Sequence, residues 1–164
     1  MLVIADTFPL NYLILIDRVN VLPTLYERVL VPQTVIEELR HPRTPSVVRT
    51  WSEHPPAWLD VRHIDAVPDA ILWNLDAGER AAILLAQALD ADLFLTDDRG
   101  ARRVAEQRGL AVLGTLGVLA QAADQRLIDL ETALVQLQST NFRMTPEMVQ
   151  RLLTRDAQRK GCSP

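Results

Sequence analysis

Two short apolar runs in this chain end in carboxylates. Leu2-Val3-Ile4-Ala5 passes directly into Asp6-Thr7, and Leu93-Phe94-Leu95-Thr96 passes into Asp97-Asp98-Arg99. Unbroken apolar runs suit buried parallel strands, so these acids fall where a strand leaves its sheet. In open α/β sheets that carboxyl edge is where ligands bind. Glu79 joins them, because it lies in the first turn of the helix preceding the second run, and such helices begin at the same edge. Glu38 lies almost two turns into its own helix, three residues after Val35, and so leans toward the packed side more than Glu37 does. Crowded carboxylates raise one another's pKa unless a cation neutralises them. Oxygen-only donors suit Mg²⁺ or Mn²⁺. A hard divalent ion in an acidic pocket commonly serves phosphoryl-transfer chemistry, acidifying water and clamping phosphate oxygens. His41, His54 and His63 lack metal-ligand spacing, which disfavours zinc.

Each acid also has a plainer role. Asp76-x-x-Glu79 matches a capping box. Asp6 or Thr7 can cap the helix after the first strand, Asp98 can cap a helix beginning near Gly100, and Glu38 can sit on a solvated face. Their common edge is what favours chemistry. Arg99, Arg102 and Arg103 open a helix at that edge and could meet phosphate, although a solvated helix face is the commoner outcome. Gly114-Thr115-Leu116-Gly117 lacks the Lys-Ser/Thr of a phosphate loop and better suits close helix packing.

The elements that position these residues alternate between strand and helix. Strands are expected at 2–5, 29–31, 59–62, 93–96 and 111–113. Helices are expected from Pro9 through Ile14, from Asp17 to Leu25 with Pro23 bending or starting it, and over Val35 to Leu39. Ser46 can cap a helix to Glu53, and Asp76 precedes a strong helix with Ala82, Ile83, Leu85 and Ala86 inward. Gly100 to Arg108 closes on Gly109, and Gly114-Thr115 starts a helix to Arg126. Beyond Ile128 the chain reads as helical, with Leu130, Leu134 and Leu137 in one stripe and Met148, Leu152 and Leu153 inward on the last helix. Such alternation implies right-handed crossovers and a parallel sheet covered on both faces, within one α/β domain.

At 164 residues the chain suits a single domain with a substantial core. No basic leader precedes the first strand, and no apolar run approaches bilayer length. The single cysteine, Cys162, falls in an expected frayed tail and has no internal partner, which fits a reducing, cytoplasmic setting. A net charge of −4 argues against a broad nucleic-acid-binding surface but leaves room for a local basic rim. Lys160 is the only lysine.

Four stretches, in order, carry a family resemblance: Val3-Ile4-Ala5-Asp6-Thr7, Val31-Pro32-x-x-Val35-x-Glu37-Glu38-Leu39, Leu75-Asp76-Ala77-Gly78-Glu79 and Leu95-Thr96-Asp97-Asp98-Arg99. They resemble PIN-domain proteins, above all the prokaryotic branch that includes VapC-type toxins of toxin–antitoxin pairs. Arg102-Arg103-Val104-Ala105 and Gly109 to Gly117 extend the likeness over most of residues 1–120. It implies a Rossmann-like three-layer α/β/α sandwich with a central parallel sheet, and hydrolysis of RNA by Mg²⁺- or Mn²⁺-activated water. Residues 1–127 would form the PIN-like domain, and 128–164 a helical extension packed on it.

Carried over by position, Asp6, Glu38, Glu79 and Asp98 are the four catalytic acids, Glu79 standing where many relatives have aspartate. Asp6, Glu79 and Asp98 would ligate metal, with Asp97 an alternate or supporting ligand. Thr7 and Thr96 would orient carboxylates or water, and Arg99 and Arg102 would contact phosphate. The resemblance also implies a homodimer and a small antitoxin partner. A non-catalytic PIN-like module that recognises protein or RNA is the alternative. A phospho-accepting receiver domain would want paired acids after its first strand and a lysine after its last, and this chain offers neither.

Overall fold

The computed structural model describes residues 1–161, so Cys162 lies outside the described residues. Among those residues the strands form one five-stranded sheet in the order β3-β2-β1-β4-β5. They are β1 (Leu2–Ala5), β2 (Arg28–Pro32), β3 (Leu59–Arg62), β4 (Leu93–Leu95) and β5 (Val112–Leu113). Every pairing is parallel, with Val3 opposite Val29 on one side of β1 and opposite Leu93 on the other. The chain therefore winds outward in one direction from β1 to β3, then returns to β4 on the far side of β1. The crevice between the carboxyl ends of β1 and β4 is the topological switch point, the expected ligand site of such a sheet.

Side-chain alternation along the strands feeds two separate cores. Val3, Ala5, Val29, Val31, Leu93 and Leu95 pack on one face, while Ile4, Leu30 and Phe94 pack on the other. The first face is covered by α1 (Thr7–Leu15), α3 (Gln33–Leu39), α7 (Thr115–Asp124) and α8 (Leu130–Gln138). The second is covered by α5 (Ala77–Ala88) and α6 (Arg99–Gln107). The result is a Rossmann-like three-layer α/β/α sandwich. Leu130, Leu134 and Leu137 join the first core, and α9 (Pro146–Gly161) packs against it through Val149, Leu152 and Leu153.

Local expectations fail at three places. Asp17 does not open a helix: it takes a left-handed turn at φ 54°, and a 3-10 turn at Val19–Val21 leads into α2 (Leu22–Leu25). Ser46 is the first residue of α4 (Ser46–Glu53) rather than its cap, because Pro45 occupies the cap position without a side-chain bond. Met148 faces outward, 38% exposed, while Val149 packs inward. A Thr145 hydroxyl accepting from Met148 N–H fixes the start of α9, and the inward stripe runs from there through half-buried Val149, Leu152 and Leu153 to buried Asp156. No helix among the described residues is long and apolar enough to cross a membrane.

Candidate functional site

Asp6 caps α1 at the end of β1. Its Oδ1 accepts from the Thr7 N–H at 2.7 Å, its Oδ2 accepts from the Thr96 hydroxyl at 3.0 Å, and its own N–H donates to the Leu95 carbonyl at 2.9 Å. These three bonds hold the carboxylate across the switch point between β1 and β4. It is only 1% exposed. Burial raises its pKa from 3.8 to about 8 against the Thr7 hydrogen bond, and the negative charges of Glu79 and Asp76 add to the rise.

Thr96, fully buried, faces two ways. Its hydroxyl donates to Asp6 and accepts from the Asp98 N–H at 3.3 Å, so one side chain ties the acids after β1 and β4 together. Thr7 does the same on the other side: its hydroxyl donates to Glu38, while its N–H donates to Asp6. The Glu38 carboxylate also accepts from the Gly78 N–H at 2.8 Å. Burial raises the pKa of Glu38.

Gly78 leaves the room for this contact. A Cβ there would stand 2.3 Å from Glu38 Oε2, an impossible approach. Gly78→Ala is expected to push the Glu38 carboxylate aside while keeping α5, since alanine favours a helix interior by roughly 1 kcal/mol over glycine. If Glu38 belongs to a working site, activity there should fall about tenfold to a hundredfold, the usual cost of disturbing an outer ligand contact. Melting should stay near wild type, and an alanine variant with undiminished activity would remove Glu38 from the site.

Glu79 and Asp76 form the capping box of α5. Asp76 Oδ1 accepts from the Glu79 N–H at 2.8 Å, and Glu79 Oε2 accepts from the Asp76 N–H at 3.0 Å. The structural role is thus realised, yet Glu79 also stands among the acids. It is 5% exposed, and its pKa rises to about 7, first through burial, then through the charges of Asp76, Asp98 and Glu38. Asp98 caps α6 through an Ala101 N–H bond of 2.8 Å to Oδ1. Among the described residues Glu79 Oε1 and Asp98 Oδ2 accept no hydrogen bond.

Asp97 turns the other way. Both of its oxygens are held by Thr115, from the N–H at 2.8 Å and the hydroxyl at 2.6 Å. A Cβ on Gly114 would stand 2.7 Å from Asp97 Oδ1, so the glycine admits this clamp at the start of α7. Burial raises the pKa of Asp97, opposed by the two Thr115 bonds. Arg102 is half-buried, with Nη2 3.5 Å from the Thr96 carbonyl and Nη1 3.9 Å from Glu106, whereas Arg99 is exposed at the first position of α6.

The structure thus links Asp6, Glu38 and Asp98 at one edge through Thr7 and Thr96, keeps Glu79 within electrostatic reach of them, and directs Asp97 toward α7. Asp76, read from sequence only as a cap, lies within electrostatic reach of Asp6, Glu38 and Glu79. Its spacing from Glu79 could have flagged it. Among the described residues no lysine or arginine forms an ion pair with the four gathered acids. Among the described residues no three Asp, Glu, His or Cys side chains are grouped so that they could hold a metal ion. The donor chemistry fits a hard cation all the same: oxygen donors alone, two carboxylate oxygens without partners, and buried acids that no basic side chain ion-pairs among the described residues.

A family model described as a PIN domain, DUF3368, matches residues 2–158 and so extends through most of α9. No curated protein matches the chain. A solved PilT N-terminus domain protein from the hyperthermophilic archaeon Sulfolobus solfataricus P2 aligns over 88% of this chain and 100% of its own, at 14% identity and a TM-score of 0.49.

Proposed function

The chain belongs to the PIN-domain family, whose members are generally metal-dependent nucleases, and on that footing we propose that it is a divalent-metal-dependent endoribonuclease. One observation carries the reading: Asp6, Glu38 and Asp98, from three different elements, are tied together at the switch point through Thr7 and Thr96, Glu79 stands within electrostatic reach of them, and no basic side chain is ion-paired to these acids among the described residues. Asp6 and Asp98 would anchor Mg²⁺ or Mn²⁺, with Glu79 beside them and Glu38 completing the pocket. When bound, the ion supplies Lewis acidity, which acidifies a water and neutralises phosphate charge.

The protein's own contribution is preorganisation. Thr96 keeps the two aspartates in register, and Thr7 with Gly78 fixes Glu38. Burial favours the protonated forms of Asp6 and Glu79 near neutrality, and a bound cation would take the place of those protons. Exposed Arg99 is free to meet a phosphate oxygen at the same edge. Asp97 serves by locking the start of α7 through Thr115 rather than as a ligand. The VapC-like sequence pattern supports a cytoplasmic toxin that dimerises and is silenced by a small antitoxin. A short open reading frame beside the gene would encode that inhibitor.

The test is incubation of the purified protein with single-stranded RNA in Mg²⁺, in Mn²⁺ and in chelator. Endonucleolytic products that need the ion are expected. RNA binding with no cleavage under any ion would instead favour the non-catalytic module.

A further inference from the structure

α3 runs along the carboxyl edge of the sheet instead of away from it. It leaves β2 at Gln33, and in its last turn Glu38 still meets Thr7, the first residue of α1, and the N–H of Gly78, in the first turn of α5. Both of those helices begin at that edge, so the chain that follows α3 stays on the rim of the site. There His41-Pro42-Arg43-Thr44 folds back onto Glu38 itself: the Glu38 carbonyl accepts from the His41 N–H at 3.1 Å and from the Thr44 hydroxyl at 3.2 Å. The Thr44 N–H closes the turn on the His41 carbonyl at 2.9 Å, and the Arg43 N–H donates to His41 Nδ1 at 3.1 Å. Pro42 fixes one backbone angle within it. At its base, Arg40 Nε and Nη2 donate to the Ser52 carbonyl at 3.1 and 2.8 Å, pinning the turn to α4. So stiff a turn presents two exposed side chains, His41 and Arg43. The Arg43 guanidinium makes no hydrogen bond or ion pair among the described residues. With Nδ1 accepting, the neutral His41 ring carries its proton on Nε2.

We propose that the His41–Thr44 turn is a phosphate subsite for the RNA strand, Arg43 gripping a phosphodiester through its guanidinium fork and His41 Nε2–H donating beside it. The inference rests on the nuclease reading and adds two substrate-binding residues to it. A chain of net charge −4 with carboxylates at its site repels a polyanion, so the strand needs cations placed locally. Arginine matches two phosphate oxygens at once, and a turn held by its own hydrogen bonds offers that fork at little ordering cost. The sheet order sets the turn on the β2 side of β1 and Arg99 on the β4 side. A strand laid across Asp6 would thus have a cation on either flank.

The experiment is fluorescence anisotropy of a labelled RNA oligonucleotide with the whole protein, in chelator so that no cleavage competes, over a series of salt concentrations. Arg43→Ala should weaken binding about tenfold, the size of one lost charged hydrogen-bond contact. It should also make the plot of log affinity against log salt shallower by about 0.7, the increment for one phosphate contact on a single strand. Arg43→Lys should keep the slope and bind more weakly than wild type, because the charge stays and the fork is lost. His41→Ala should weaken binding with the slope unchanged, since a neutral imidazole displaces no counterion. Arg151→Ala, which removes the same charge from the exposed face of α9, should leave both quantities unchanged. All three positions are exposed, so none of these changes touches the core. Arg43→Ala that behaves like wild type, or a loss that Arg151→Ala matches, overturns the subsite and leaves the nuclease reading standing. Wild type that binds no oligonucleotide also overturns it, and if that protein cleaves no RNA in Mg²⁺ or Mn²⁺ the nuclease reading falls too.

Discussion

Asp6→Asn is expected to abolish metal-dependent RNA cleavage and, in the metal-free protein at neutral pH, to make the fold more stable. The two effects have opposite signs because they arise from the same buried charge. Asparagine is nearly isosteric, and its carbonyl can still accept from the Thr7 N–H, so the cap on α1 survives. What disappears is the one carboxylate that reaches across from β1 to Thr96 and the acids after β4. Altering an outer metal contact commonly costs ten- to a hundredfold, so loss of a direct ligand should exceed about a hundredfold. For stability, wild type must keep Asp6 protonated, with a pKa of about 8, where the unfolded chain would release the proton at 3.8. At about 1.4 kcal/mol per pKa unit that penalty reaches a few kcal/mol near pH 7, and asparagine avoids it. A gain of several degrees in melting temperature should follow. A variant that melts lower than wild type and still cleaves RNA would contradict both halves.

The second large effect is the pH dependence of the metal-free wild type. A folded-state pKa above the unfolded value means that the native protein binds the extra proton between them, so unfolding free energy falls as pH rises. For Asp6 the contribution is complete below pH 3.8 and is lost progressively as pH climbs to about 8; Glu79, with a pKa of about 7, adds to it in the same direction. Melting temperature without metal should therefore decline from mildly acidic to mildly alkaline pH. Added Mn²⁺ replaces the protons as the neutralising charge, so its stabilisation should be small near pH 5 and large near pH 8. Thermal melts across that range, with and without Mn²⁺, give the answer. A metal effect that is flat with pH would mean that the buried acids are not where the ion acts.

Much of this was legible before any coordinates. The buried strands announced themselves as unbroken apolar runs, and the abrupt arrival of Asp6 and Asp98 at their ends marked the sheet edge. The capping box at Asp76 and Glu79 was equally plain, since it is a local pattern. What stayed hidden depends on contacts between residues distant in sequence. Two adjacent aspartates look alike on paper, and only the arrival of Thr115 after β5 turns Asp97 toward α7 and leaves Asp98 at the edge. The seat of Glu38 on the Gly78 N–H, forty positions away, is a packing event that no periodicity encodes. Met148 and Val149 differ by one residue of helical phase, which the Thr145 cap decides.

The central claim is that the acids at the switch point hold a divalent ion. Its most direct test is calorimetric titration of Mn²⁺ into metal-free protein at neutral pH, in two buffers with different ionisation enthalpies, using wild type and Asp6→Asn. The account predicts saturable binding to wild type, with an observed heat that differs between buffers because Asp6 and Glu79 give up protons to the ion. Asp6→Asn should lose most of both the affinity and the buffer dependence. Wild type that takes up no Mn²⁺, or an asparagine variant that binds it equally well, would contradict the account.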